Sequence, residues 1–309
     1  MKATKIIAVL AVALMAAGTV GLTSCKGKDK GKTASTKDAK GNKKGKAKKV
    51  ELPEDAFDVE FTEDESGCII QSKRDVKEIA AGNDVTYPST VQGLPVKGIK
   101  LVVCDYEASS LTIPEGVVWV NGCGLNADWD SSLAKVTLPS TLKVIGEDTF
   151  AYCKNLSECN LPEGLGVIGA RAFQYCENLS ECNLPEGLEV IFGKAFFHSG
   201  LKSVTLPKSL KYYIYNNDQP FAWCDSLEEI NIPEGLVITV LGGENIDDFF
   251  SGDKIKGSLA LQKTIKDKLK LEYINSSMRG EQKKDDIRAY LKKTYKPYYP
   301  RYDLEFTFR

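Results

Sequence analysis

LSECNLPEGLGVIGARAFQYC, residues 156–176, is followed two residues later by LSECNLPEGLEVIFGKAFFHS, residues 179–199. Within each copy two apolar side chains flank one polar residue before a proline, as Cys159-x-Leu161 and Cys182-x-Leu184. That spacing puts both on one face of a short strand, and the proline ends the strand's run of hydrogen bonds. The pairing recurs as Val136-x-Leu138, Val204-x-Leu206 and Ile230-x-Ile232. Prolines mark the period outward in both directions, at Pro88, Pro114, Pro139, Pro162, Pro185, Pro207 and Pro233, with gaps of 26, 25, 23, 23, 22 and 26 residues. A strand this short cannot cover its own apolar face, whereas rungs stacked about 4.8 Å apart give every apolar column neighbours above and below. Ile145, Ile168 and Ile191, with Phe150, Phe173, Phe196 and Phe221, supply the opposite wall. The expectation is one continuous parallel sheet with Leu138, Leu161, Leu184 and Leu206 in a single buried column. The longer unit YYIYNNDQPF, residues 212–221, is expected to bulge out as a loop.

The motif L-x-x-[VIC]-x-[LI]-P-x-x-[LV]-x-x-I-x-x-x-x-F-x-x-C is similar to the BspA-type leucine-rich repeats of bacterial surface proteins. VTYPSTVQGLPVKGI, from Val85, resembles that family's first repeat, and residues 57–80 fit its N-terminal hairpin loosely. The resemblance covers roughly residues 80–240. It implies a right-handed, β-rich leucine-rich-repeat solenoid of short parallel strands and short helical turns, used for binding and in particular for adhesion.

Beyond the repeats the pattern changes. SLALQKTIKDKLKLEY, from Ser258, resembles the helical tail that closes some arrays, with Ser258 as N-cap before Leu259, Leu261, Ile265 and Leu269. A second helix would carry Ile287, Tyr290, Leu291 and Tyr295; Pro297 and Pro300 follow, and Leu304, Phe306 and Phe308 alternate as a strand does. The tail reads as a small α+β cap over the open end of the solenoid, or as a separate module.

At the other end, Lys2 and Lys5 precede an apolar stretch from Ile6 to Leu22 that ends in Leu22-Thr23-Ser24-Cys25. A basic start, a short hydrophobic run and small residues at the cut make a secretory signal. L-T-S-C resembles the lipobox of bacterial lipoproteins, which implies lipidation at Cys25. Residues 26–49 hold eleven lysines and no large apolar residue, a composition that cannot repay its ordering entropy. Such a linker spans on the order of 25–30 Å and serves either as a solvated tether or as a basic arm for anionic surfaces.

From Val50 onward 28 basic residues face 40 acidic ones, a net charge near −12. An acidic body argues against nucleic acid, since phosphate neutralisation needs a basic face. Nine cysteines invite a metal or disulfide reading. Cys153-x5-Cys159 and Cys176-x5-Cys182, however, follow the repeat spacing and occupy core columns, where zinc's tetrahedral convergence is not available. A Cys153–Cys176 disulfide between adjacent rungs lies within Cα range; Cys68, Cys104 and Cys123 are not paired by spacing. His198 is the only histidine, and Gly242-Gly243 lacks the Lys-Ser/Thr of a phosphate loop. The sequence points to no catalytic residue, metal or cofactor.

Two surface columns remain. Outward strand positions read Ser110, Lys135, Glu158, Glu181, Ser203, Glu229 and Thr112, Thr137, Asn160, Asn183, Thr205, Asn231. They form either a docking face or the polar surface any exposed sheet needs. Immediately before the repeat cysteine stand Tyr152, Tyr175, His198 and Trp223. Four rings at one repeat position make a binding ridge of the kind enriched in hot spots, or else they close the edge of the core. The partition is a signal peptide at 1–24, a lipidated tether at 25–50, a hairpin cap at 51–84, repeats at 85–242 and a C-terminal cap at 243–309. The function expected is that of a lipid-anchored envelope protein at the outer membrane or cell surface, binding a host, matrix or bacterial surface protein. A periplasmic scaffold is the alternative, and oligomeric state is left open.

Overall fold

The computed structural model describes residues 47–73, 76–122, 131–214, 219–241, 270–274 and 278–295. The expectations for the signal stretch, Cys25, most of the tether, Cys123, the helix from Ser258 and the strand through Leu304 lie outside them.

Each repeat contributes two short strands, so the solenoid has two walls of parallel sheet rather than one. The first wall stacks Lys49–Glu51, Asp84–Thr86, Ser110–Thr112, Lys135–Thr137 and Glu158–Cys159. Lys49–Glu51 lies at its edge, so stacking begins before Val85, with residues expected in the tether. The second wall opens with the antiparallel hairpin of Phe57–Phe61 and Cys68–Ser72. It continues through Leu94–Lys100, Trp119–Asn121, Val144–Ile145, Val167–Ile168, Val190–Phe192, Tyr212–Ile214, Val237–Leu241 and Lys270–Ile274. Register aligns Ile99, Val120, Ile145, Ile168, Ile191, Tyr213 and Val240 in one inward column, and all are buried.

Between the walls, Phe150, Phe173, Phe196 and Phe221 form a buried stack with centroid steps of 5.4, 5.1 and 5.2 Å. Leucine columns at Leu142, Leu165, Leu188 and Leu210 and at Leu156, Leu179, Leu201 and Leu227 complete the interior. At Gly169 an added Cβ would stand 2.5 Å from the Gly146 carbonyl carbon, so the rungs there approach closer than any side chain allows.

Four expectations need correction. The first sheet is not continuous: no ladder is assigned at Glu181–Cys182, and Ser203–Thr205 pairs separately with Glu229–Asn231. Leu206 is buried, but Leu138, Leu161 and Leu184 are only partly so, packed against the core from its margin. In those three rungs the position next to the proline is the less buried of the pair, because there the chain leaves the sheet. Tyr212–Ile214, expected within a loop, is strand, with Tyr213 in the inward column. Lys270–Ile274 is also a strand, parallel to Val237–Leu241, although it continues an apolar pattern of helical period; an open sheet edge overrides local preference.

Among the described residues Lys270–Ile274 is the edge strand of the second wall, and the C-terminal helix, Met278–Tyr295, lies along that wall's outer face. Val144, Val167, Val190 and Trp119 point outward there yet are buried, in one apolar group with Ile287 and Tyr295. Tyr290 and Tyr295 hydroxyls donate to Glu189 Oε2 at 2.7 and 3.1 Å, and Lys211 pairs with the same carboxylate. Burial pushes the Glu189 carboxyl up, but these three donors outweigh it and leave it below its usual range. Gly166 admits the strap, since a Cβ there would meet the Tyr295 hydroxyl at 2.4 Å. Eighteen residues at 1.5 Å each give about 27 Å of helix, ample for the four rungs, roughly 19 Å, between the last strand and Gly166.

One buried carboxylate ties the N-terminal cap together. Asp105 is 1 % exposed; its Oδ2 accepts the Val102 N–H at 2.7 Å, while Oδ1 has no partner. Desolvation outweighs this bond and the Ser72 and Tyr87 hydroxyl bonds, and lifts the carboxyl to about 6. With the folded value above the ordinary 3.8, the folded state holds its proton longer than the unfolded one. Stability from this group is therefore full below pH 3.8 and is lost as pH rises through 6. Asp105→Asn should remove that loss, up to about 3 kcal/mol. Urea unfolding of both proteins at acid and neutral pH checks it: the wild type should lose ground to the variant as pH rises, and a constant difference would contradict the assignment.

Candidate functional site

The turns after Val144–Ile145, Val167–Ile168 and Val190–Phe192 build a third ladder. N–H groups of Asp148, Phe150 and Tyr152 donate to the carbonyls of Ala170, Ala172 and Gln174 at 2.9, 2.7 and 2.7 Å. One rung on, Arg171, Phe173 and Tyr175 donate to Gly193, Ala195 and Phe197 at 3.2, 2.7 and 2.9 Å. Phe side chains of these segments turn inward, and the residue two places later turns out. To do so it adopts a left-handed backbone, with φ of 61° at Tyr152, 57° at Tyr175, 56° at His198 and 60° at Trp223. That conformation costs a side-chain-bearing residue roughly 1–2 kcal/mol and normally recruits Gly or Asn. Neither occurs at this position in the four rungs.

All four rings are half-buried. Tyr152 and Tyr175 stack at 4.7 Å with their planes 13° apart, and Tyr175 and His198 at 4.8 Å and 28°. Phe197, also half-buried, meets Tyr175 edge-on at 5.7 Å and Trp223 at 6.4 Å, and Lys194 Nζ lies 5.5 Å over its ring. Gln174 is 7 % exposed beneath this surface; its Nε2 reaches the Tyr152 hydroxyl at 3.5 Å and its Oε1 has no partner. Phe197, Gln174 and Lys194 escape a column-by-column reading of the sequence, because their positions hold unlike residues in neighbouring repeats. Burial, with the nearby Tyr152 and Glu177, raises the Tyr175 phenol, keeping it a donor. The row presents phenol and imidazole groups on half-buried rings, which are hydrogen-bonding groups at the surface.

The other candidates form a different surface. Glu158, Asn160, Glu181, Asn183, Glu229 and Asn231 are all exposed, separated from the rings in each rung by buried residues such as Cys153 and Leu156. Several spend their polarity on one another: Lys135 pairs with Glu158 at 2.6 Å, and Asn231 donates to Glu229 at 3.1 Å.

Cys68, Cys153, Cys159, Cys176, Cys182 and Cys224 are buried thiols, with no disulfide among them. Cys176 donates to the Phe150 carbonyl and Cys224 to the Phe196 carbonyl, each at 3.1 Å. Burial raises Cys182 to about 12 and Cys224 to about 11. Both therefore stay protonated, and Cys176 and Cys224 serve as small donors between rungs. Among the described residues no cluster of His, Cys, Asp and Glu could hold a metal ion.

Residues 124–240 match the BspA type leucine rich repeat region in six copies. The chain is 26 % identical to a leucine-rich repeat protein of T. pallidum over 71 % of its own length and 95 % of that chain, with a TM-score of 0.55. A leucine rich cell surface protein from Faecalibacterium prausnitzii A2-165 is 24 % identical over 57 % of this chain and 52 % of its own, with a TM-score of 0.40. A leucine-rich repeat protein from Bacteroides ovatus is 21 % identical over 60 % and 45 %, with a TM-score of 0.41. No curated protein matches the chain.

Backbone conformation separates a ridge from core packing at Tyr175. Tyr175→Ala keeps the left-handed strain and loses the stack, a cost of about 1–2 kcal/mol. Tyr175→Gly loses the same stack but relieves the backbone, and should unfold at a higher temperature than the Ala variant. If both variants instead cost about 3–5 kcal/mol, as truncated core aromatics do, the ring is structural.

Proposed function

We propose that this chain, a BspA-type leucine-rich-repeat solenoid across residues 124–240, is a lipid-anchored cell-envelope binding protein whose ligand is another protein. Solenoids of this repeat type are in general protein-binding scaffolds rather than enzymes. The observation that carries the reading here is the half-buried stack of Tyr152, Tyr175 and His198, continued by Trp223, held on left-handed backbone that Gly would occupy at lower cost. Asp148, Arg171 and Lys194 share that left-handed backbone in the same turns, so what distinguishes this column is its row of stacked, half-buried rings. Core filling is already complete beneath them in the Phe150, Phe173, Phe196 and Phe221 stack.

The location half of the proposal rests on the N-terminal sequence. Leu22-Thr23-Ser24-Cys25 after an apolar run supports lipid attachment at Cys25, and the lysine-rich stretch behind it suits a spacer. No helix among the described residues is long and apolar enough to cross a membrane, so the lipid supplies the attachment in this reading. An outward-facing protein of this kind would serve adhesion to host, matrix or neighbouring cells.

Protease shaving of intact cells, paired with membrane fractionation, tests both halves. Wild type should be shaved from the surface, and Cys25→Ser should leave the membrane fraction. Full protection of the wild type would contradict the surface placement and favour a periplasmic scaffold; unchanged fractionation of Cys25→Ser would end the lipid-anchor reading. Tyr175→Ala combined with Trp223→Ala should lower adhesion of cells displaying equal amounts of folded protein, and equal adhesion would remove the ridge as the binding site.

A further inference from the structure

We infer that the ring ladder takes an extended polypeptide in the polyproline II conformation, laid along the solenoid axis with three ligand residues to every two rungs. The inference rests on the ridge being the binding surface and adds the chemistry of its occupant.

The first ground is what the ladder presents. Tyr175 has Tyr152 at 4.7 Å on one side and His198 at 4.8 Å on the other, so both its faces are spent inside the stack. A ligand that stacks flat, such as a sugar ring or a nucleobase, finds no open face there. What reaches solvent is ring edge and polar tip. Edges carry the positive side of the ring quadrupole, and phenol O–H and imidazole N–H are donors. The complement of such a row is a line of acceptors, and a polypeptide with unspent backbone carbonyls is one. Polyproline II has no internal hydrogen bonds, so its carbonyls are free.

The second ground is period. Steps of 4.7 and 4.8 Å carry the ladder about 9.5 Å in two rungs. Polyproline II rises 3.1 Å per residue and returns to the same face every third residue, about 9.3 Å. A β-strand returns every second residue, about 6.7 Å, and falls out of step with the rings at once.

The third ground is the amide beneath the ladder. Gln174 is 7 % exposed and in contact with the Tyr152 hydroxyl, yet its Oε1 has no partner. With Nε2 donating to that hydroxyl, the phenol proton is free to point outward to a ligand carbonyl. Turned over, the amide accepts the phenol proton and leaves its own N–H group unspent. In either orientation the pair keeps a polar valence in reserve at the ridge.

The test uses the purified full chain with three probes: blocked decaproline, a blocked (Gly-Ser)5 peptide and a β-1,4-linked glucose tetramer, titrated calorimetrically. Decaproline should bind and the flexible peptide should not. Tyr152→Phe with Tyr175→Phe keeps the rings and removes the phenol donors. It should weaken decaproline binding by the folded fraction about ten-fold or more, equivalent to roughly one charge-free hydrogen bond at each site, beyond the lowering of the melting temperature that loss of the Gln174 partner brings. Absence of decaproline binding overturns the proposal, and so does binding that tolerates the double Phe change. Saccharide binding without decaproline binding, lost in Tyr175→Ala, would sink the polypeptide inference while leaving the ridge as the binding surface. No effect of the Tyr175→Ala, Trp223→Ala pair on adhesion would instead strike the underlying reading.

Discussion

The N–H groups of Asp148, Phe150 and Tyr152 bond to the carbonyls of the next rung, and the same three bonds recur one repeat later. Where both strand ladders are also present, they leave a turn of chain bonded to its neighbours on three sides. Rung spacing is then not adjustable, and the columns inherit it. Phenylalanines stack because their backbones are held in step, and Gly169 has no side chain because the step is too short to admit one. The outer rings are stacked for the same reason. Their 4.7 and 4.8 Å separations are the spacing of the backbone ladder read at the surface.

The period and the interior were legible because each rung must repeat the same contacts. The apolar strand positions, the inner Ile column and the Phe stack all fall where offsets from the prolines put them. Legibility ended where a residue's state depends on what lies beside its rung. LSECNLPEGL occurs twice without change, at 156–165 and 179–188, yet Glu158–Cys159 is strand and Glu181–Cys182 is not. No local rule can separate identical sequences; the neighbouring rungs do. The outward valines, Val144, Val167 and Val190, read as one more apolar column until the C-terminal helix is found lying over them. That placement depends on Gly166 and Glu189, which carry no repeat signal. Lys270–Ile274 likewise became strand because Val237–Leu241 offered it an edge.

Of the candidate site, the ring column was visible as a recurrence, but its geometry was not. Left-handed φ at Tyr152, Tyr175, His198 and Trp223 has no signature when the residue is neither Gly nor Asn. It changes the meaning of the column, since a ring kept on unfavourable backbone needs a compensating interaction. Stacking supplies part of that, about 0.5–1.5 kcal/mol for a pair, comparable with the strain it offsets. The ridge therefore adds little net stability, and its side chains are open to selection for what they touch. The acidic strand face differs in that its charges and amides already bond among themselves, as Lys135 with Glu158 and Asn231 with Glu229.

Backbone stacking sets every column, so that the rung is the unit of structure. Excising one whole rung, residues 133–155, joins Ser132 to Leu156 and keeps each column in register, while leaving Gly166 and Glu189 for the C-terminal helix. Excising residues 136–155 removes only three fewer residues but moves every following side chain off its column. Calorimetric unfolding of the two proteins measures the difference. The whole-rung deletion should unfold in a single cooperative transition with an enthalpy reduced by about one repeat's share, and the shorter deletion should show no native transition. Equal transitions from both would contradict the account.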